Sequence, residues 1–246
     1  MRTIDYIDLG GMYLEELPEF LGTIDRVKGR GAYIELSDNN LNNLKNCPQY
    51  VDGAFYCIES NLHSLEGGPR VVTGGYNVSS NKLSNLVGSP DEVYELIVSA
   101  NQPLVTLEGC TQKLVSFSAS YCGIKNLIGG PTTILPNTIK GHAQQYKVDN
   151  NPKLTSLQGA PTEVPGLFSA SSCGLENLIG APEYVGGNFI VSFNPLKSLE
   201  GCPKRVEKDF HCKPITKDRD AGTAVLFTEE QIRSVCDVGG NVIIWH

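Results

Sequence analysis

Short stretches of alternating apolar and polar residues recur along this chain, and each is followed by a fixed set of leucines. The apolar pairs are Ile7-x-Leu9, Ile34-x-Leu36, Phe55-x-Cys57, Tyr76-x-Val78, Leu96-x-Val98, Phe117-x-Ala119, Tyr146-x-Val148, Phe168-x-Ala170, Phe189-x-Val191 and Phe210-x-Cys212. Period two over residues that favour strands predicts a half-buried strand at each pair, ten in all. Behind them Leu41, Leu62, Leu83, Leu104, Ile124, Leu154, Leu175 and Leu196 each open an L-x-x-L segment, at spacings of 21, 21, 21, 20, 30, 21 and 21 residues. A fixed period of this size marks a repeat array in which each unit is stabilised by its neighbours.

Every unit also carries a turn. Gly67, Gly88, Gly109, Gly129, Gly159, Gly180 and Gly201 follow the second leucine position, and Pro69, Pro90, Pro131, Pro161, Pro182 and Pro203 stand two residues later, with Asn46 and Thr111 as departures. Glycine supplies unusual φ values and proline forbids a regular helix, so the return side of each coil is predicted to be extended or irregular. Three residues past the second strand position lies Asn39, Asn81, Asn101, Asn151 or Asn194, replaced by Ser60, Cys122 and Cys173 in other units. A small polar side chain recurring there predicts a ladder bonded to backbone groups that would otherwise be unpaired inside the coil.

These residues resemble the leucine-rich-repeat signature, as in Tyr76-Asn-Val78-Ser-Ser-Asn81-Lys-Leu83-Ser-Asn-Leu86. The variant with L-x-x-L-x-G-x-P followed by V-x-G-x-F, as in Leu175 to Phe189, is similar to repeats of uncharacterised tailed-bacteriophage proteins. The resemblance implies a solenoid with a parallel sheet on its concave side, a mostly irregular convex side and a protein-binding role. The repeat region is 1–215, with a degenerate first unit in 1–33. A C-terminal cap follows in 216–246, where Thr228 and Gln231 make a capping box for a helix at 229–236 and a strand at 242–245 closes the array around Trp245.

Charge narrows the choice of partner. The chain has 27 acidic and 20 basic residues, a formal charge of −7, which opposes a general phosphate-binding surface. Residues 1–60 hold ten acids against five bases, whereas 197–220 hold seven bases against five acids. No apolar run reaches the roughly 18 residues of a membrane span and no signal segment opens the chain, so a cytoplasmic protein without nucleic-acid or membrane partners is expected. The eight cysteines fall at repeat positions also held by Ala, Ser, Gly or Asn, which predicts reduced core thiols rather than a disulfide framework.

Candidate chemistry is sparse. His63, His142, His211 and His246 are scattered and no C-x-x-C occurs, so no metal or other cofactor is expected. His211 and Cys212 are consecutive on a strand and face opposite ways, which prevents a catalytic dyad. The carboxylates Asp8, Glu35, Asp38 and Glu59 gather on the first units, but an open sheet seldom supplies the burial that acid–base catalysis needs. Gly29-Arg-Gly31 precedes a strand instead of the helix a phosphate loop requires, and Asn77-Val78-Ser79 is an incidental glycosylation match.

What remains is the open strand face: Tyr6, Asp8, Tyr33, Glu35, Tyr56, Glu59, Asn77, Ile97, Tyr121, Lys147, Ile190, Phe193 and His211. Aromatic anchors among small residues are what a protein-binding surface needs. The long unit from Ile124 to Lys153 places its extra residues in Ile134–Gln145, giving Asn137, Lys140, His142 and Gln144 as a second candidate contact. The expectation is a non-enzymatic scaffold that captures a host or phage protein. A virion-associated structural part is one alternative, and a small-molecule sponge or enzyme using the insertion is another.

Overall fold

The computed structural model describes residues 2–137, 143–214 and 226–244. It is a parallel β-solenoid of about ten turns with one short α-helix and one 3-10 turn, Glu19–Thr23, among these residues. The main ladder runs through Tyr6–Asp8, Tyr33–Glu35, Ala54–Tyr56, the far halves of Val71–Asn77 and Glu92–Ile97, then Ser116–Ser118, Gln145–Lys147, Leu167–Ser169, Phe189–Ile190 and Phe210–His211. Neighbours pair in parallel and in strict register, for example Tyr6↔Tyr33↔Ala54 and Phe117↔Tyr146↔Phe168. Each of the ten apolar pairs therefore occupies its own rung, with its first residue on the core side. A further strand, Val242–Ile243, pairs with Phe210–His211.

The core is a set of columns, one residue per coil. Phe55, Tyr76, Leu96, Phe117, Tyr146, Phe168, Phe189 and Phe210 are all fully buried. Their rings stack at centroid distances of 4.6 Å for Phe55–Tyr76, 5.6 Å for Tyr146–Phe168 and 5.5 Å for Phe168–Phe189. The paired leucines of each L-x-x-L segment, such as Leu62 with Leu65 and Leu154 with Leu157, are equally buried. Each such side chain contributes roughly 1.5–3 kcal/mol, but only with a rung on either side to complete its burial.

Backbone satisfaction inside the coil falls to the asparagine column. Asn81 Nδ2 donates to Cys57 O at 2.7 Å and Val78 O at 3.0 Å, while its Oδ1 accepts from Ser60 N at 3.0 Å and Leu62 N at 2.9 Å. Asn101, Asn151 and Asn194 repeat the arrangement. Where the column holds Cys122 or Cys173, the thiol reaches the preceding rung's carbonyl at 3.4 Å, and the next asparagine accepts the cysteine's own amide. All eight cysteines are free thiols. Burial pushes Cys57 and Cys173 up to about 12 and Cys122 up to about 11, which keeps them protonated and unreactive.

The return side is more regular than its glycines and prolines suggest. A second ladder of short parallel strands runs along it in three separately paired runs, one through Arg26–Val27 and Tyr50–Val51, one of Lys113–Leu114 with Thr133–Ile134, and one from Glu163–Val164 through Tyr184–Val185 and Arg205–Val206. Each buries one apolar residue, Val51, Leu114, Val164 or an equivalent. A tight corner joins the two ladders, and at Gly53 and Gly166 a β-carbon would fall 1.8 Å from Ala32 O and 2.0 Å from Gln144 O. Only glycine lets successive coils approach so closely.

A two-coil period overlies the single coil. Asn43, Ser64, Asn85, Thr106, Asn126, Ser156, Asn177 and Ser198 alternate amide and hydroxyl, and each accepts a hydrogen bond from the amide two residues on. At the C-terminal end, Thr228 caps the helix Glu229–Val235 through a reciprocal bond with Gln231. Arg233 then donates to Val238 O and Gly240 O, and Asp237–Val238 and Val242–Ile243 extend both ladders by one rung. Trp245 lies outside the described residues.

Candidate functional site

Side-chain parity sends one residue of every main strand to the open face. The resulting column is Asp8, Glu35, Tyr56, Asn77, Ile97, Ser118, Lys147, Ser169, Ile190 and His211, beside a second column that begins Tyr6, Tyr33, Ala54. Ten of the candidate residues named from sequence lie in these two columns. Tyr6, Asp8 and Tyr56 are exposed, and Tyr33, Glu35, Asn77, Ile97, Lys147, Ile190 and His211 are half-buried.

Glu59, Tyr121 and Phe193 lie elsewhere. They belong to a column just past the strand end, Gly11, Asp38, Glu59, Ser80, Ala100, Tyr121, Asn150, Ser172 and Phe193, in which φ runs from 53° to 66°. The chain turns through the left-handed region there, so parity no longer applies, and these side chains form a ridge beside the sheet. A bulky residue in that conformation costs roughly 1–2 kcal/mol relative to its ordinary backbone geometry. Tyr121 is nevertheless 57% exposed and Phe193 39%, so apolar burial does not recover that cost.

The first three rungs form the densest patch. Tyr6 and Tyr33 stack at 5.4 Å with their planes 12° apart, and Asp8, Glu35 and Tyr56 stand in register beside them. Asp8 accepts from Gly10 N at 3.3 Å and Glu35 from Ser37 N at 2.7 Å, which fixes the exposed and the half-buried carboxylate against the backbone. Partial loss of hydration, then the proximity of Asp8, Tyr6 and Glu35, raises the Tyr33 phenol above its ordinary value. The neighbouring bases serve the other ladder: Arg26 lies 4.4 Å over the Tyr50 ring, Lys28 pairs with Asp52 at 3.9 Å and Arg2 bonds Thr23. At the far end, Lys147 pairs loosely with Asp149 at 3.9 Å, and burial lowers the His211 imidazole below its ordinary value.

The extra residues of the long unit fall within the bounds expected from sequence. Ile134 is buried in the second ladder and Gln145 pairs in the main one, so the extra residues lie between them. Tyr94 donates to Asn137 Oδ1, and Gln144 donates to Leu135 O. Beside this segment lies a cleft of about 700 Å³ lined by Gln144, Gly166, Gly187, Asn188, Lys208 and Asp209. Lys140 and His142 fall outside the described residues. Among the described residues, no three His, Cys, Asp or Glu side chains converge to hold a metal ion, and no helix is long and apolar enough to cross a membrane.

The open face thus offers exposed and half-buried rings flanked by carboxylates on a ladder of paired strands. Comparison with protein-family models, with curated proteins and with solved structures finds no match for this chain. The class its coordinates define is the parallel β-solenoid.

Proposed function

We propose that this protein is a non-enzymatic scaffold that captures a protein partner on the open face of its main sheet. The observation that carries the reading is the stack of exposed Tyr6 on half-buried Tyr33, in register with Asp8, Glu35 and Tyr56. Large rings bury much area at little entropic cost, and a pre-ordered sheet avoids the ordering penalty of a flexible loop. Tyr121 and Phe193 support it, because strain held at exposed aromatics is better explained by recognition than by folding. The leucine-rich-repeat resemblance favours the same surface, the concave one in that architecture. The likeness to phage repeats puts a host protein in the bacterial cytoplasm first among partners, with the protein acting as adaptor or inhibitor.

Affinity capture from a bacterial lysate tests this, comparing the wild type with the Tyr33→Glu, Tyr56→Glu, Tyr121→Glu triple variant. We expect a partner retained by the former and lost by the latter, and identical partner sets would overturn the open-face claim. A second reading, capture of a small polar molecule, rests on the cleft lined by Gln144, Asn188 and Lys208. A thermal-shift screen against metabolites tests that one, with Lys208→Ala as the discriminating variant.

A further inference from the structure

The first rung of the main ladder has an open edge. Among the described residues, Tyr6–Asp8 pairs only with Tyr33–Glu35, whereas every other rung up to Phe210–His211 has a strand on both sides. Leu9 N donates to Glu35 O at 2.9 Å. Since successive amides of a strand point to opposite edges, those of Tyr6 and Asp8 face away from the array. A row of unpaired N–H and C=O groups is a template for another strand.

The side chains beside that edge specify what fits. Any strand added in register sends alternate residues to the open face, next to Tyr6 and Asp8, and the residue between them to the core side, next to Ile7. Asp8 and Glu35 set a negative charge there, and Tyr6 offers a ring that is 59% exposed. The bases Arg26 and Lys28 stand on the other ladder and are already engaged. An arginine placed opposite Asp8 would meet a carboxylate and an aromatic ring together.

We propose that the edge of Tyr6–Asp8 docks an extended cationic segment of a protein partner, of the pattern basic–aliphatic–basic, which adds to the sheet as one more strand. Main-chain bonds supply the register and the alternating side chains supply the selectivity. This rests on the scaffold reading above and names the chemistry of its partner.

The test uses the full chain and a fluorescent peptide of alternating arginine and valine, followed by anisotropy. Two further peptides serve as controls, one of the same composition with its arginines grouped, and one with N-methylated valines that cannot complete the ladder. We expect saturable binding of the alternating peptide, at least about tenfold weaker binding of both controls, and a similar loss in the Asp8→Asn, Glu35→Gln double variant. Glu176→Gln with Glu183→Gln, a pair removed from this edge, should bind as the wild type does. Equal binding of grouped and alternating peptides, or equal loss in the two double variants, would reduce the effect to general charge attraction and overturn the proposal. A dimer in sedimentation velocity that Tyr6→Pro converts to monomer would assign the edge to a second copy and overturn it equally. If lysate capture depends on Tyr56 and Tyr121 but not on Asp8 and Glu35, the scaffold reading stands and this inference falls.

Discussion

The phenol oxygen of Tyr146 lies 3.1 Å from the point a β-carbon on Gly130 would occupy, and Tyr76 stands 3.4 Å from the same point on Gly68. These are the two coils whose turn reads Gly-Gly-Pro. Wherever that middle position holds Cys47, Ser89, Cys110, Ala160, Ala181 or Cys202, the core residue that follows is Phe or Leu. The second glycine therefore makes room for a hydroxyl. Neither phenol has a hydrogen-bond partner in its fully buried site, and burial raises both well above their ordinary values.

Gly130→Ala should accordingly cost about 1–3 kcal/mol through overpacking, and less when combined with Tyr146→Phe. Tyr146→Phe alone should be neutral or stabilising, because it removes a buried group that has no partner. Urea denaturation of the four proteins of the cycle measures the coupling. Strict additivity would dissolve the pairing of glycine with tyrosine.

The asparagine column predicts an asymmetric response to substitution. Asn81→Ala strands the Cys57 carbonyl and the Ser60 and Leu62 amides in the interior at once, while Val78 O keeps Asn101 Nδ2, and a loss of about 3 kcal/mol is expected. Asn81→Cys should cost less, since Cys122 and Cys173 hold the equivalent place and reach a carbonyl through sulfur. Equilibrium unfolding in guanidinium ranks the two.

Much of this fold is legible in the sequence because each column has one narrow requirement. Leucine fills the interior, asparagine bonds the backbone, and glycine with proline turns the chain. The second ladder is not legible in the same way. Its two-residue strands bury only one side chain each, such as Val51 or Val164, and so leave no alternation to read. The V-x-G-x-F spacing is its one trace. The patch from Tyr6 to Tyr56 follows from parity, whereas Glu59, Tyr121 and Phe193 do not. Their backbone turns left-handed, and of that column only Gly11, Asp38 and Asn150 announce it by residue type.

The ridge allows stability and binding to be separated. Replacing Tyr121 or Phe193 with glycine relieves the left-handed backbone and removes an exposed ring, so each variant should gain up to about 1 kcal/mol. The same variants should lose partner capture. Thermal melts and affinity capture on one preparation check both, and a variant that loses stability along with binding would return these rings to the scaffold.

The pH response should pass through His211. Burial holds its imidazole below the ordinary value against the opposing pull of Asp209, while Lys213 lowers it further. Its Nε2 is buried and has no hydrogen-bond partner. The unfolded chain therefore binds the proton more readily than the folded one. This residue's contribution to stability is complete above the unfolded value of about 6.5 and is lost as pH falls through the lower folded value. Between pH 7.5 and 5.5, where carboxylates still contribute little, the melting temperature of the wild type should fall more steeply than that of His211→Gln. Identical slopes would mean that the imidazole takes up its proton equally well in the folded and unfolded chain.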